Sequence, residues 1–190
     1  MSLKGTQTEK NLLTAFAGES QARNRYSYFA SAAGKEGYKQ IEAVFAETAD
    51  QEKEHAKRFF KFLEGGEAVV SASFPAGVIG DTIANLTASA EGEEHEWGSM
   101  YPGFAQTARE EGFPEIAAVF DSVSVAEKFH GERFRKLAEN IAKNMVWSRP
   151  EKIMWRCRNC GYTHVGTEAA KLCPACNHPQ AYFELAAMNW

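Results

Sequence analysis

The sequence is short of several things, and each shortage narrows the reading. It has no run of 18 apolar residues, so no membrane-spanning helix is expected. Its opening, MSLKGTQTEK, lacks the apolar centre of a secretion signal, which makes a cytoplasmic protein the expectation. A large excess of either charge is also missing, with 21 Lys/Arg against 25 Asp/Glu. A net charge of −4 gives no general attraction to nucleic acid. Cysteine is rarer still: there are 4 in 190 residues, in two close pairs between 157 and 176. Two disulfides are one reading of those pairs. A reduced metal site suits a chain without an export signal better.

What is present is 44% apolar residues, enough for a sizeable core, and long helical periodicity. Residues 8–34 read as a first helix with Leu12, Leu13, Phe16, Tyr26 and Phe29 at helical spacing. Residues 38–64 read as a second, ended by LEGGE. Residues 65–80 are too long for a tight turn and suit a crossover along a bundle. A third helix is expected from about Asp81 to Glu111, kinked near Gly98, Pro102 and Gly103. A fourth runs from about Pro114 to Lys143. The expectation is an all-α four-helix bundle over 1–146, with one long crossover between helices two and three. A linker at 147–154 and a small four-cysteine metal-binding domain at 155–190 follow. The first 146 residues carry 16 Lys/Arg against 22 Asp/Glu, and the remainder 5 against 3.

The second and fourth helices are copies. Set GYKQIEAVFAETADQEKEHAKRFFKFLE (37–64) over GFPEIAAVFDSVSVAEKFHGERFRKLAE (112–139) and 12 of 28 positions are identical, with no gap. Glu52-x-x-His55 recurs as Glu127-x-x-His130 at an offset of 75. A weaker match, AGES with EGEE, sets Glu19 against Glu93 at an offset of 74. Glu96 has only Ala22 as its counterpart, so the halves differ there.

One Glu from each of two helices, with Glu-x-x-His from each of the other two, is the ligand pattern of di-iron and di-manganese carboxylate bundles. Five Glu aimed into a core would repel one another and lose hydration, unless divalent metals supply the opposite charge. Oxygen and imidazole donors without thiolate suit iron or manganese. Glu52 and Glu127 are the candidate bridges, because facing copies meet at the pseudo-twofold axis. Glu93 and Glu94 are ambiguous by spacing, and Glu93 is favoured because it shares a face with Glu96. Lys53, Glu54, Lys57 and Arg58 read as an ordinary wet face, and His95 as exposed. Tyr26 lies seven residues after Glu19, and Tyr101 eight after Glu93. Both could donate a hydroxyl to a ligand carboxylate, and spacing fits plain core packing equally.

Cys157-x-x-Cys160 and Cys173-x-x-Cys176 make a four-thiolate tetrahedral site. Spacing does not separate zinc from iron. Gly161-Tyr162 and Pro174 resemble the two knuckles of rubredoxin. The 12 residues between the pairs are fewer than in free-standing rubredoxins and also fit a zinc ribbon. With so few apolar residues, the module is expected to need its metal to fold.

Taken together, FAGESQARNRY, ADQEKEHAKR, GEEHEWGSMYP, AEKFHGERF, WRCRNCGY and CPAC make the whole chain resemble the rubrerythrin family, a ferritin-like di-iron bundle followed by a rubredoxin-like module. The resemblance places Glu19, Glu52, His55, Glu93, Glu96, Glu127 and His130 on two non-haem irons, with Tyr26 and Tyr101 hydrogen-bonded behind them. It places Cys157, Cys160, Cys173 and Cys176 on one iron rather than zinc. Trp97 stands where a tyrosine is more usual and reads as packing. The resemblance implies a peroxidase that reduces hydrogen peroxide to water. Electrons would pass through the four-cysteine iron from a donor protein, a reductase or rubredoxin drawing on a nicotinamide cofactor. It implies that His55 and Glu96 exchange on one iron as its oxidation state changes. It also implies a homodimer in which one module approaches the other chain's di-iron site. A ferritin-type ferroxidase and a zinc-ribbon adaptor are the competing readings. An electron inlet argues against the first, and the inward Glu/His set against the second.

Overall fold

The computed structural model describes residues 2–190; the expected first domain begins one residue earlier, at Met1, which lies outside them. Four long helical segments form the bundle: α1 (Gln7–Lys35), α2 (Lys39–Phe60), a composite third and α5 (Pro114–Ala142). The third consists of α3 (Thr82–His95), a π-helical turn (Glu96–Met100) and α4 (Tyr101–Glu110). Thr6 caps α1 by accepting the Glu9 N–H, and Asp81 caps α3 by accepting that of Ala84. α2 stops at Phe60, four residues short of the expected Glu64. Residues 63–81 carry no helix or strand, and Phe74 from this crossover reaches α1 beside Gly18.

The copied sequence folds to copied geometry, down to the turns. Gly37 and Gly112 take φ of 88° and 83°, the left-handed conformation that glycine adopts without a Cβ penalty. Each is followed by the same closing bond, Tyr38 N–H to the Ala33 carbonyl and Phe113 N–H to that of Ala108.

The interruption expected around Gly98–Gly103 takes the form of the π turn. Pro102 has no N–H to offer the carbonyls one turn back. Tyr101 N–H reaches past them to the Glu96 carbonyl. The Trp97 carbonyl, whose partner in that wider register would be Pro102, accepts from Ser124 Oγ on α5 at 3.2 Å. A π turn inserts one residue without breaking the helix. That insertion accounts for the change of repeat offset from 74 at Glu93 to 75 at Tyr101.

The core divides into two layers. One gathers Tyr26, Phe29, Phe45, Leu86 and Phe134. The other gathers Leu12, Phe59, Tyr101, Ile116 and Phe120. The buried carboxylates lie between them in sequence on every helix.

The stretch expected as a linker is mostly strand. β1 (Ser148–Cys157) pairs antiparallel with β2 (Thr163–Glu168) and β3 (Phe183–Leu185), in the order β2-β1-β3. Alternation is broken in SRPEKIM by Pro150 and neighbouring charges, which hid the strand from a pattern reading. A small core of Trp155, Cys157, Ala169, Cys173 and Phe183 backs the cysteines. This module sits against the start of α2: Tyr38 stacks on Trp147 at 5.5 Å, and the Lys39 ammonium lies 6.0 Å from the Tyr182 ring. Among the described residues no helix is long and apolar enough to cross a membrane.

Candidate metal centres

The bundle interior brings the predicted residues together in two overlapping groups. Glu19, Glu52, His55 and Glu127 form one, and Glu52, Glu93, Glu127 and His130 the other, with the donor atoms of each group within 4.8 Å of one another. Glu52 and Glu127 belong to both. His55 Nδ1 lies 2.8 Å from Glu127, 3.1 Å from Glu52 and 3.8 Å from Glu19. His130 Nδ1 lies 2.7 Å from Glu127 and 3.1 Å from Glu52. The rings face each other at 6.0 Å.

Glu93 and Glu94 point to different surroundings. Glu93 is buried, whereas Glu94 is exposed and paired with Arg135. His95 is exposed, as expected, and so are Lys53, Glu54, Lys57 and Arg58. Glu96 is only part-buried and stands outside both groups, on the π turn. Trp97 packs with Lys128 over its ring at 5.5 Å.

The tyrosines cross between halves. Tyr26 donates to Glu93 Oε1 and Tyr101 to Glu19 Oε1. Burial, and then the neighbouring carboxylates, push both phenols well above the usual value, so each keeps its proton and stays a donor. One residue escaped the sequence reading. Gln51 Oε1 lies 2.9 Å from His130 Nε2. The available signal was a mismatch within the repeat, where Gln51 stands opposite Ala126.

Electrostatics state what the pocket needs. One oxygen on each of Glu19, Glu52, Glu93 and Glu127 is buried with no aligned hydrogen-bond donor. Burial, then repulsion from Glu127 and Glu52, raises Glu19 well above the usual carboxylate range, and the same groups do so for Glu93. Burial and Glu127 raise Glu96 to about 8. Burial opposes the charged form of Glu52, but hydrogen bonds from His130 and His55 outweigh it and lower Glu52 to about 2. Burial also opposes a charged His130, yet Glu127 and Glu52 raise it to about 9. The same contest drives His55 far upward. Protons thus supply the positive charge that the carboxylates demand. Two divalent cations fit the donor set, because they would meet the orphaned oxygens and displace those protons.

At the other end, all four cysteines are free thiols. Cys157 and Cys176 sulfurs are 3.8 Å apart, and those of Cys160 and Cys173 are 3.6 Å apart. A tetrahedron with metal–sulfur bonds of about 2.3 Å has edges of about 3.8 Å. Each pair is followed by a left-handed residue, Gly161 (φ 79°) and Asn177 (φ 61°), which turns the knuckle. His164 and His178 bond to backbone carbonyls rather than joining the cluster.

Fold and sites together define a class: a ferritin-like di-iron carboxylate bundle joined to a rubredoxin-like module with a four-cysteine iron site. Within that class the chain belongs to the rubrerythrin family. The family model for rubrerythrin matches residues 10–138, and that for the rubrerythrin rubredoxin-like domain matches 155–184. Rubrerythrin of Nitratidesulfovibrio vulgaris is 64% identical over 189 residues, covering 100% of this chain and 99% of that one. Rubrerythrin of Porphyromonas gingivalis is 59% identical, covering 100% and 94%. Among solved structures, partially reduced nigerythrin superposes with a TM-score of 0.62 at 32% identity, covering 97% of this chain and 88% of that one. The reduced symerythrin of Cyanophora paradoxa, at 24% identity and a TM-score of 0.64 over 75% and 89%, shares the fold.

Proposed function

We propose that the protein is a peroxidase that reduces hydrogen peroxide to water, H2O2 + 2 H+ + 2 e− → 2 H2O. Its electrons come through the four-cysteine iron from a donor protein, a reductase or rubredoxin served by a nicotinamide cofactor. The observation that carries this reading is the pairing, in one chain, of a buried carboxylate–histidine pocket with a four-thiolate electron-transfer site seated on α2. Iron storage needs no such inlet. When bound, the two irons supply the two electrons for each peroxide and the Lewis acidity to polarise its oxygens.

The chain's own residues divide the remaining work. Glu52 and Glu127 each face both histidines and would be the carboxylates shared between the two irons. Glu19 and Glu93 are the terminal carboxylates. Tyr101 and Tyr26 hold one oxygen of each and leave the other free for metal. His130 would hold the second iron. His55 and Glu96 would be the alternative ligands of one iron, His55 when the site is reduced and Glu96 when it is oxidised. An anionic oxygen suits ferric iron, and a neutral imidazole suits ferrous iron. Two layers of aromatic side chains limit entry of water. We place the protein in a homodimer, a reading supported by the exposed apolar side chains Val69, Val78 and Ile79 on the crossover.

Cys160→Ala should abolish peroxide turnover with a protein donor, yet leave chemically reduced protein able to consume one equivalent of peroxide. Stopped-flow assays with and without the donor measure both, and a donor-driven rate that survived would remove the inlet role. Glu96→Ala should keep two irons in the reduced bundle while slowing the cycle. Loss of both irons under reducing conditions would refute the exchange.

A further inference from the structure

The two copied turns, Gly37-Tyr38-Lys39 and Gly112-Phe113-Pro114, share a backbone but not a neighbour. Phe113 and Pro114 line a groove with Leu3 and Phe62. The first turn meets the four-cysteine module. Tyr38 stacks on Trp147, with ring centroids 5.5 Å apart and planes 4° from parallel. The Lys39 ammonium lies 6.0 Å from the Tyr182 ring, an approach that Pro114 has no cation to make. Ala181 lies against Gly37, where an added Cβ would meet its methyl group at 3.9 Å. Tyr38 packs on the bundle core and Trp147 on the module core, so the stacked pair joins two hydrophobic cores.

The covalent joint fixes where the module begins but not how it faces. Met145 N–H bonds to the Asn140 carbonyl near the end of α5, and Ala169 N–H bonds to the Trp147 carbonyl inside the module. Val146 is the one residue between these anchors, and Ser148 Oγ donates across them to the Asn144 carbonyl at 2.7 Å. Each residue keeps two soft dihedrals, so rotation there would swing the whole module.

We propose that the Tyr38–Trp147 stack, with Lys39 over Tyr182, is the seat that aims the four-cysteine site and so sets the rate at which its electrons reach a di-iron centre. Tyr38 and Trp147 are positioning residues. The inference deepens the proposed function and rests on its electron inlet. Each transfer takes the four-cysteine iron from ferrous to ferric and a bundle iron from ferric to ferrous. Two transfers return the electrons that one peroxide consumes. Such transfer weakens exponentially with distance, so a swing of a few ångströms changes its rate strongly. Seated, the module lays Arg158 and Asn159 along a groove with Ala43 and Ala46 of α2, and the exposed Cys160 is next in the chain. A module held there keeps one bearing on its own bundle, and within a homodimer one bearing on the partner's centre. Tyr38 lies 14 residues before Glu52, about 20 Å along α2, so changes to it leave the carboxylate pocket alone.

The test uses the iron-loaded protein. Fully reduced protein is mixed with one equivalent of peroxide in stopped flow, and the colour of the ferric four-cysteine iron times the transfer between sites. Tyr38→Leu and Trp147→Leu should each slow that colour by about three- to tenfold, the worth of an aromatic pair. Oxidation of the bundle by peroxide and reduction of the four-cysteine iron by a rubredoxin should keep their parent rates. Tyr38→Phe, which keeps the ring, should transfer as fast as the parent. Small-angle X-ray scattering should show a larger radius of gyration for the leucine variants. Should Trp147→Leu lose its four-cysteine iron, Tyr38→Leu decides alone, because Tyr38 lies outside the module. Unchanged transfer, an unchanged radius, or a loss that Tyr38→Phe shares would overturn the inference while leaving the inlet intact. A parent protein whose four-cysteine iron stays ferrous after peroxide would remove the inlet, and the inference with it.

Discussion

Single side chains carry much of this molecule's specificity, and Gly131 shows how. It follows His130 and stands opposite Ala56 in the repeat. A Cβ added there would lie 3.1 Å from the Glu93 Cβ and 3.6 Å from the Ala90 carbonyl. Glu93 is buried and held by Tyr26, and the carbonyl belongs to α3, so neither can step aside cheaply. Gly131→Ala should therefore push α3 from α5 and cost about 1–3 kcal/mol by overpacking. Chemical denaturation measures the loss, and weaker iron retention should accompany it because Glu93 moves. A variant as stable as the parent would mean that α3 shifts freely.

Among the helices, the π turn ties the sequence's oddest spacing to its chemistry. Seven residues separate Glu19 from Tyr26 and eight separate Glu93 from Tyr101, yet the tyrosines reach equivalent carboxylates. The extra residue is absorbed between Glu96 and Met100. Gly98, Pro102 and Gly103 marked an interruption there, but not that its form is a one-residue insertion in a π turn. That form depends on Ser124, which lies on another helix and satisfies the Trp97 carbonyl. Ser124→Ala should cost about 1 kcal/mol, the net worth of a typical hydrogen bond. In a Pro102→Ala background, where an N–H becomes available to that carbonyl, the cost should shrink. A double-mutant cycle by urea denaturation reads the difference, and additive losses would contradict the assignment. The linker expectation failed for a related reason. SRPEKIM has no strand alternation of its own, and it is extended because β2 and β3 lie alongside β1.

For the whole molecule, the buried charge cluster couples folding to pH. His130 is raised from 6.5 to about 9, so its contribution is full below 6.5 and lost as pH rises through 9. Glu96 is raised from 4.5 to about 8, so forcing its ionisation weakens the folded state over that interval. Glu52, lowered to about 2, acts oppositely, but only as pH falls below 4.5. The metal-free protein should therefore lose thermal stability steadily from about pH 5 to about pH 9. Iron should bind more tightly over the same range, because the ligands must shed protons to bind. Melting curves of both forms check this, and a flat metal-free profile would refute it.

Periodicity, repetition and ligand spacing are local properties of a chain, and they were enough to reveal the bundle and its copied helices. They also marked the four thiols and the six carboxylates and histidines that the fold groups: Glu19, Glu52, His55, Glu93, Glu127 and His130. Folding in three dimensions separated Glu93 from Glu94 and set Glu96 apart from the two ligand groups. It also crossed the tyrosines between halves and brought Gln51 to His130. Each of these is fixed by contacts between different helices or by a helix's rotation about its axis. A one-residue change of register moves a side chain by about 100° on a helix, and one sequence read alone fixes neither rotation nor partner.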